Sequence, residues 1–246
     1  MENVEEKIYY SKQRAAIGDA GQKHLQEKKV LVIGIGGLGC PAATYLASAG
    51  VGRLTLCDGD DLELSNLHRQ TLFAYKDIGQ KKSLLAKERL LSLNPFCQIQ
   101  AIEKHVAADH VDSIIESHDL ILDCTDKLST KFFIHDRCLF LKKSLIQAGI
   151  YGGQAILQAF DGFHFGCMRC LWSEADDVKI QSCVDVGVLG AETGFIGSLQ
   201  ALTALKVLMK QETEILEYFF CIDIGQLNVM KIKRQRRVDC SYCKTY

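Results

Sequence analysis

The chain has 246 residues, a formal net charge of −1 and 48% hydrophobic residues: enough apolar chain for the core of one large domain or two small ones, and no general attraction to nucleic acid or to a membrane surface. No apolar run reaches the ~20 residues that a membrane span requires, and the acidic opening MENVEEKIYY has no signal-peptide character. Eleven cysteines fit thiol or metal chemistry in a reducing compartment better than a disulfide scaffold, so a cytoplasmic protein is expected.

Lys29–Ile33 is a short apolar run with β-branched residues, the pattern of a strand buried on both faces. It meets Gly34, Gly36 and Gly39 in G-x-G-x-x-G spacing, and a helix follows over 39–50. Pro41 lies in its first turn, where the missing N–H costs nothing. Residues 54–57 read as a second strand, ending at Asp58. A helix over 79–93 stops at Asn94 and Pro95. Strands are predicted at 99–103, at 119–126 with polar residues ending in Asp126, and at 144–150, with a helix over 127–141. This alternation predicts an α/β fold, a doubly wound, mostly parallel, Rossmann-like sheet. After Gly152 and Gly153 the pattern changes. Further strands at 154–160, 216–224 and 227–232 continue it as an antiparallel section, with an irregular loop over 171–190. A helix over 194–209 is predicted to bury one face made of Ile196, Leu199, Leu202, Leu205 and Leu208.

In such a sheet, ligands sit beyond the carboxyl ends of the strands. The glycine turn opens a helix and makes an anion site. Asp58 follows about twenty residues on, where a ribose-binding acid belongs. NAD and ATP fit that pattern equally; the next segment separates them. DGDDLELSNLHRQ, 58–70, gathers acids, Asn66 and Arg69, and Lys82 begins the following helix. A triphosphate needs fixed cations, and a planar guanidinium matches phosphate oxygens. Asp126 could hold Mg²⁺, which takes one or two carboxylates together with phosphate oxygens.

Two Cys-x-x-Cys pairs, Cys167 with Cys170 and Cys240 with Cys243, offer four thiolates. That is the donor set of a closed tetrahedral zinc site, which would clip the C-terminal segment to the middle of the fold. A redox Cys-x-x-Cys is the alternative; the presence of two pairs argues against it. Cys40, Cys57, Cys97, Cys124, Cys138 and Cys221 read as packing residues. The basic run KIKRQRR, 231–237, either faces an acidic partner or lines a solvated strand edge, the commoner case.

GIGGLG, SNLHRQ, GQKK, DCTD and the two Cys-x-x-Cys pairs, in that order across residues 10–243, resemble the ThiF/MoeB/HesA branch of the ubiquitin-activating-enzyme superfamily. The resemblance implies a single adenylyltransferase domain over 1–246, with a nucleotide-binding half at 29–150 and a carrier-binding, crossover-loop and zinc half at 151–246. It implies ATP-dependent adenylation of the C-terminal Gly-Gly carboxylate of a small ubiquitin-like sulfur carrier, with release of pyrophosphate. Gly34, Gly36, Gly37 and Gly39 would approach the nucleotide, and Asp58 would bind the ribose. Asn66, Arg69 and Lys82 would hold the triphosphate, and Asp126 would place Mg²⁺. A carboxylate nucleophile is already ionised at neutral pH, so charge neutralisation and alignment, not a general base, dominate such chemistry.

A homodimer is also implied, with an N-terminal arginine entering the neighbouring site. Here that position is Lys12, in YYSKQR, with Arg14 close enough to replace it by a shift. Lys127 and Lys131 stand where the family commonly has asparagine and arginine, and both could serve as phosphate cations. Cys183 matches the cysteine that, in ThiF-like members, forms a covalent link to the carrier; MoeB-like members have a similar cysteine. RCLWSE and AGIYGGQ favour a ThiS-like carrier and thiamine biosynthesis. A MoaD-like carrier in molybdopterin biosynthesis is the alternative. Sulfur is expected from a separate donor protein. Two remote readings are an NAD-dependent oxidoreductase and a non-catalytic module that binds a ubiquitin-like protein.

Overall fold

The computed structural model describes residues 4–162, 164–172, 187–211 and 214–243. Strands β1 (Lys29–Ile33), β2 (Arg53–Cys57), β3 (Gln98–Ile102), β4 (Leu120–Asp123) and β5 (Ser144–Tyr151) are parallel. Strands β6 (Gln154–Phe160), β7 (Tyr218–Asp223) and β8 (Asn228–Lys233) continue the sheet antiparallel. The order is β3-β2-β1-β4-β5-β6-β7-β8. Chain order reverses between β1 and β4, which opens a crevice at their carboxyl ends.

Alternation along β1 explains why the sheet is covered on both sides. Val30 and Val32 face a core shared with α3 (Gly39–Ser48), α4 (Lys82–Leu93) and α8 (Gly190–Leu208). Leu31 and Ile33 face a second core with α5 (Val111–Glu116) and α6 (Leu128–Phe140), which also takes in the four paired cysteines. The first turn of α3 sits close to β1: a Cβ on Gly39 would lie 1.9 Å from the Gly34 carbonyl oxygen. Only glycine permits that approach. Among the described residues no helix is long and apolar enough to cross a membrane.

Three differences from the sequence reading have physical causes. α1 (Val4–Tyr9), α2 (Ser11–Gln26) and α5 were not foreseen. α2 buries Gln22 and Leu25, so it shows no apolar stripe, and Gly18 at φ 73° interrupts it. β4 ends at Asp123, not at Asp126, because the Asp123 carboxylate accepts the Thr125 N–H at 2.9 Å and the Thr125 hydroxyl at 2.6 Å, turning the chain out of the sheet. α8 buries Ile196, Gly197, Gln200, Ala201, Ala204 and Leu208, whereas Leu202 is 49% exposed. A strict spacing of three drifts around a helix, and the packed face follows mixed steps of three and four.

Candidate active site

A cleft of about 930 Å³ opens beyond the carboxyl ends of β1, β2 and β4. Gly34, Gly36 and Gly37 form one wall. No side chain caps the N-terminus of α3 beside them; in its first turn the Cys40 N–H meets the Gly36 carbonyl at 3.0 Å, Pro41 has no N–H and the Ala42 N–H meets the Leu38 carbonyl at 3.2 Å, so what this end offers an anion is the helix dipole. Gly39 does not line the cleft; its place is the helix–strand contact described above.

The post-β2 segment supplies the next wall. Asp58 is buried, with one carboxylate oxygen accepting the Ile35 N–H at 2.6 Å and the other the Asp60 N–H at 2.8 Å. The first of these bonds ties the acid to the glycine turn. Burial pushes the Asp58 carboxyl above the ordinary carboxylate range, and the two N–H groups pull it only partly back. Asn66 is buried and spends its amide locally: its Oδ1 accepts the Glu63 N–H at 3.2 Å, shaping the turn at Leu64–Asn66. Arg69 is half-buried, and its Nη1 lies 2.9 Å from the Ser65 carbonyl and 2.8 Å from His68 Nε2. His68 thus orients the guanidinium, a task its neighbourhood in sequence did not disclose.

Lys82, the first residue of α4, is 6% exposed and its Nζ stands 3.0 Å from Asp60 Oδ2. Asp60 reaches His105 with its other oxygen, at 3.5 Å. Neither Asp60 nor His105 was singled out in the sequence; an acid that holds a buried lysine is recognised only once α4 is placed beside the segment.

Asp126 and Lys127 are exposed and line the opposite side of the cleft, beyond β4. Lys131 also reaches the cleft, but it is not a free cation. It donates to the Ala148 carbonyl at 2.7 Å and lies 3.4 Å from the fully buried Asp123. The structure thus gathers Gly34, Gly36, Gly37, Asp58, Asn66, Arg69, Lys82 and Asp126 around one cavity. Lys12 is exposed on α2 and does not line the cleft of its own chain. Arg14 pairs with Asp19 at 2.6 Å. Cys183 lies outside the described residues.

On the far side of the sheet, Cys167, Cys170, Cys240 and Cys243 are all buried, with their sulfurs within 4.8 Å of one another. Three separations are 3.8, 3.7 and 3.4 Å. Sulfurs at the corners of a tetrahedron about a zinc ion stand about 3.8 Å apart, given Zn–S bonds near 2.3 Å. The four thiols could therefore hold such an ion with modest adjustment. His135 ties the first knuckle, α7 (Met168–Leu171), to α6: its Nε2 accepts the Met168 N–H at 2.9 Å. Arg169 adds a bridge to Asp136 at 2.8 Å. The remaining described cysteines behave as packing residues. Burial pushes the thiols of Cys40, Cys57 and Cys97 up to about 12.

The ThiF family model matches residues 10–242. The ThiS adenylyltransferase of Escherichia coli K12, described as acting on the sulfur carrier protein ThiS, is 42% identical over 194 residues, covering 78% of this chain and 77% of that protein. The adenylyltransferase and sulfurtransferase MOCS3 of Drosophila willistoni is 38% identical, covering 93% of this chain and 51% of its own length. The adenylyltransferase and sulfurtransferase uba4 of Aspergillus niger is 39% identical, with 92% and 50% covered. The chain therefore spans about half the length of the fly and fungal relatives it matches. Among solved structures, E. coli MccB with MccA superposes with a TM-score of 0.87 at 21% identity, covering 99% of this chain and 75% of that one. At that identity the likeness shows the fold alone.

Proposed function

Because the chain belongs to the ThiF family, we propose that it adenylates the C-terminal carboxylate of a ubiquitin-like sulfur-carrier protein, consuming ATP and releasing pyrophosphate. The observation that carries this reading is the composition of the cleft. The N-terminal end of α3, the buried ribose-type acid Asp58, the cations Arg69, Lys82 and Lys127 and the exposed Asp126 carboxylate converge on a single cavity.

Each residue has a role in that reaction. Asp58 accepts hydrogen bonds from the ribose hydroxyls. Gly34, Gly36 and Gly37 let the nucleotide approach the turn, with the N-terminus of α3 facing its phosphates. Arg69 and Lys82 neutralise the triphosphate, and Asp60 and His68 position them. The Asn66 amide shapes the turn that carries Arg69. Asp126 is the residue that would hold Mg²⁺; when bound, that ion shields the phosphate charge from the incoming carboxylate. The carrier's terminal oxygen attacks the α-phosphorus, an acyl–phosphate bond forms, and the bond to the β-phosphate breaks. The electron pair leaves with pyrophosphate, and no proton need be moved.

The carrier favoured by RCLWSE and AGIYGGQ, and by the relative named for ThiS, is ThiS-like. The relatives named as both adenylyltransferase and sulfurtransferase support a MoaD-like carrier as the second reading. Sulfur comes from a separate donor protein, with Cys183 as the thiol that would receive the activated tail. Two copies would form the working unit, each offering Lys12 to its neighbour's cleft. The four-cysteine cluster would hold structural zinc. ATP–pyrophosphate exchange with purified ThiS-like and MoaD-like carriers, assayed separately, tests the proposal. Exchange with one carrier names the substrate, and exchange with neither overturns the reading.

A further inference from the structure

The basic run 231–237 does not simply line a solvated edge. Lys231 and Lys233 are exposed on β8, but Arg234, the next residue, is 4% exposed. Its Nη2 donates to the carbonyls of Ile215 and Leu216, while Nε and Nη1 are buried without a hydrogen-bond partner. Among the described residues no carboxylate pairs with it. The neighbouring arginines differ: Arg169 pairs with Asp136 at 2.8 Å and Arg237 with Asp239 at 3.4 Å. A buried guanidinium stays charged and is costly to bury unless a negative charge lies nearby.

Arg234 packs on Phe160, a member of the same buried core as the four cysteines, and the residues after it run to the cluster itself. The Arg234 guanidinium lies 4.5 Å from the centre of the Phe160 ring. On that ring also rests His135, at 5.2 Å, the residue that accepts the Met168 N–H next to Cys167. The backbone of Gln235 and Arg236 passes within 3.0–3.4 Å of where a Cβ on Gly166 would stand. Arg236 donates to the Cys243 carbonyl, and the Arg237 N–H points at Cys170 Sγ, 3.5 Å away. Four thiolates around one divalent ion carry a net charge of about −2.

We propose that Arg234 is the charge-compensating residue of the four-cysteine metal centre, a cation left without a carboxylate because its counter-charge is the metal–thiolate cluster. The assignment rests on the zinc reading of that cluster. Burial pulls the guanidinium down to about 10, and negative charge at Cys167 opposes that pull. Arg234 alone of the run is buried, and the two expected readings, partner face or solvated edge, apply to its exposed members, among them Lys231, Lys233 and Arg237.

Zinc content, release of zinc to a chelator followed with a colorimetric indicator, and thermal melting test the assignment on the full chain. Wild type is expected to hold one zinc per chain. Arg234→Met should release it about tenfold faster or more, the scale of second-layer effects on metal affinity. Arg234→Lys should recover much of the loss. In a Cys240→Ser/Cys243→Ser background, which removes half the ligands, Arg234→Met should leave the melting temperature unchanged or raise it, while lowering it in the intact chain. Equal release rates for wild type and Arg234→Met, or equal loss of melting temperature in both backgrounds, overturn the proposal and leave the zinc site standing. Should Arg234→Met fail to fold, Arg234→Gln is compared with Arg234→Lys: faster release from the neutral variant than from the charged one supports compensation, and equal release from the two overturns it. Absence of zinc from wild type overturns the metal reading and this one together.

Discussion

Replacing Asp123 by alanine strikes the polar interior beneath the cleft. The carboxylate is fully buried, and its oxygens accept from the Thr125 N–H at 2.9 Å, the Thr125 hydroxyl at 2.6 Å and Gln147 Nε2 at 2.7 Å. Lys131 Nζ stands 3.4 Å away and would keep only the Ala148 carbonyl. Hydrogen bonds to a charged group contribute about 1.5–3 kcal/mol each. Removing one partner of a buried ion pair costs about 3–5 kcal/mol. The same two oxygens make both sets of contacts, so the contributions overlap and the total is about 4 kcal/mol. With a urea m-value of about 3 kcal/mol/M, the unfolding midpoint should fall by about 1.3 M without a change in m. Thr125→Val removes only the hydroxyl bond and should lower the midpoint by about 0.5–1 M. Equilibrium urea unfolding followed by circular dichroism measures both. An Asp123→Ala midpoint no lower than that of Thr125→Val would refute the account of this interior.

Two further outcomes concern the cleft. Asp58 titrates above the ordinary carboxylate range because it is buried. The folded chain therefore holds this proton more tightly than the unfolded chain, so stability rises as pH falls through the folded pKa. Ribose recognition needs the ionised form, so the ATP Kd measured by calorimetry should rise as pH falls through that same raised pKa, whereas Asp58→Asn should bind weakly with a flat profile. A wild-type Kd constant across the weakly acidic range contradicts this. Asp126→Ala should abolish ATP–pyrophosphate exchange while leaving the melting temperature within experimental scatter, since the side chain is exposed; full exchange activity would remove the proposed Mg²⁺ role.

Much of the cleft was legible because its signals are local. Gly34, Gly36 and Gly37 share one turn, and Asp58, Asn66 and Arg69 share one post-strand segment, so their convergence needs only the strand–helix alternation. The two Cys-x-x-Cys pairs are far apart in sequence, yet a closed donor set has few other uses. Contacts between elements were not legible. Lys131 reads as a phosphate cation until α6 is laid beside Asp123. Asp60 has no evident role until α4 brings Lys82 to it. α2 lacks an apolar stripe because its buried Gln22 donates to the Ala49 carbonyl at 3.1 Å, a polar contact that leaves no hydrophobic period. Arg234 was hidden by its own neighbours: in a run of lysines and arginines, composition reads surface, and only the path of the chain after β8 reveals burial.

In the proposed reaction a carrier carboxylate attacks the innermost phosphorus of ATP in this cleft. Oxygen-18 placed in the carrier's terminal carboxylate tests it directly, by mass spectrometry of the nucleotide released after the activated tail is captured with a thiol. Attack at the α-phosphorus transfers one labelled oxygen to AMP. ADP as the product, or AMP without label, would contradict the account.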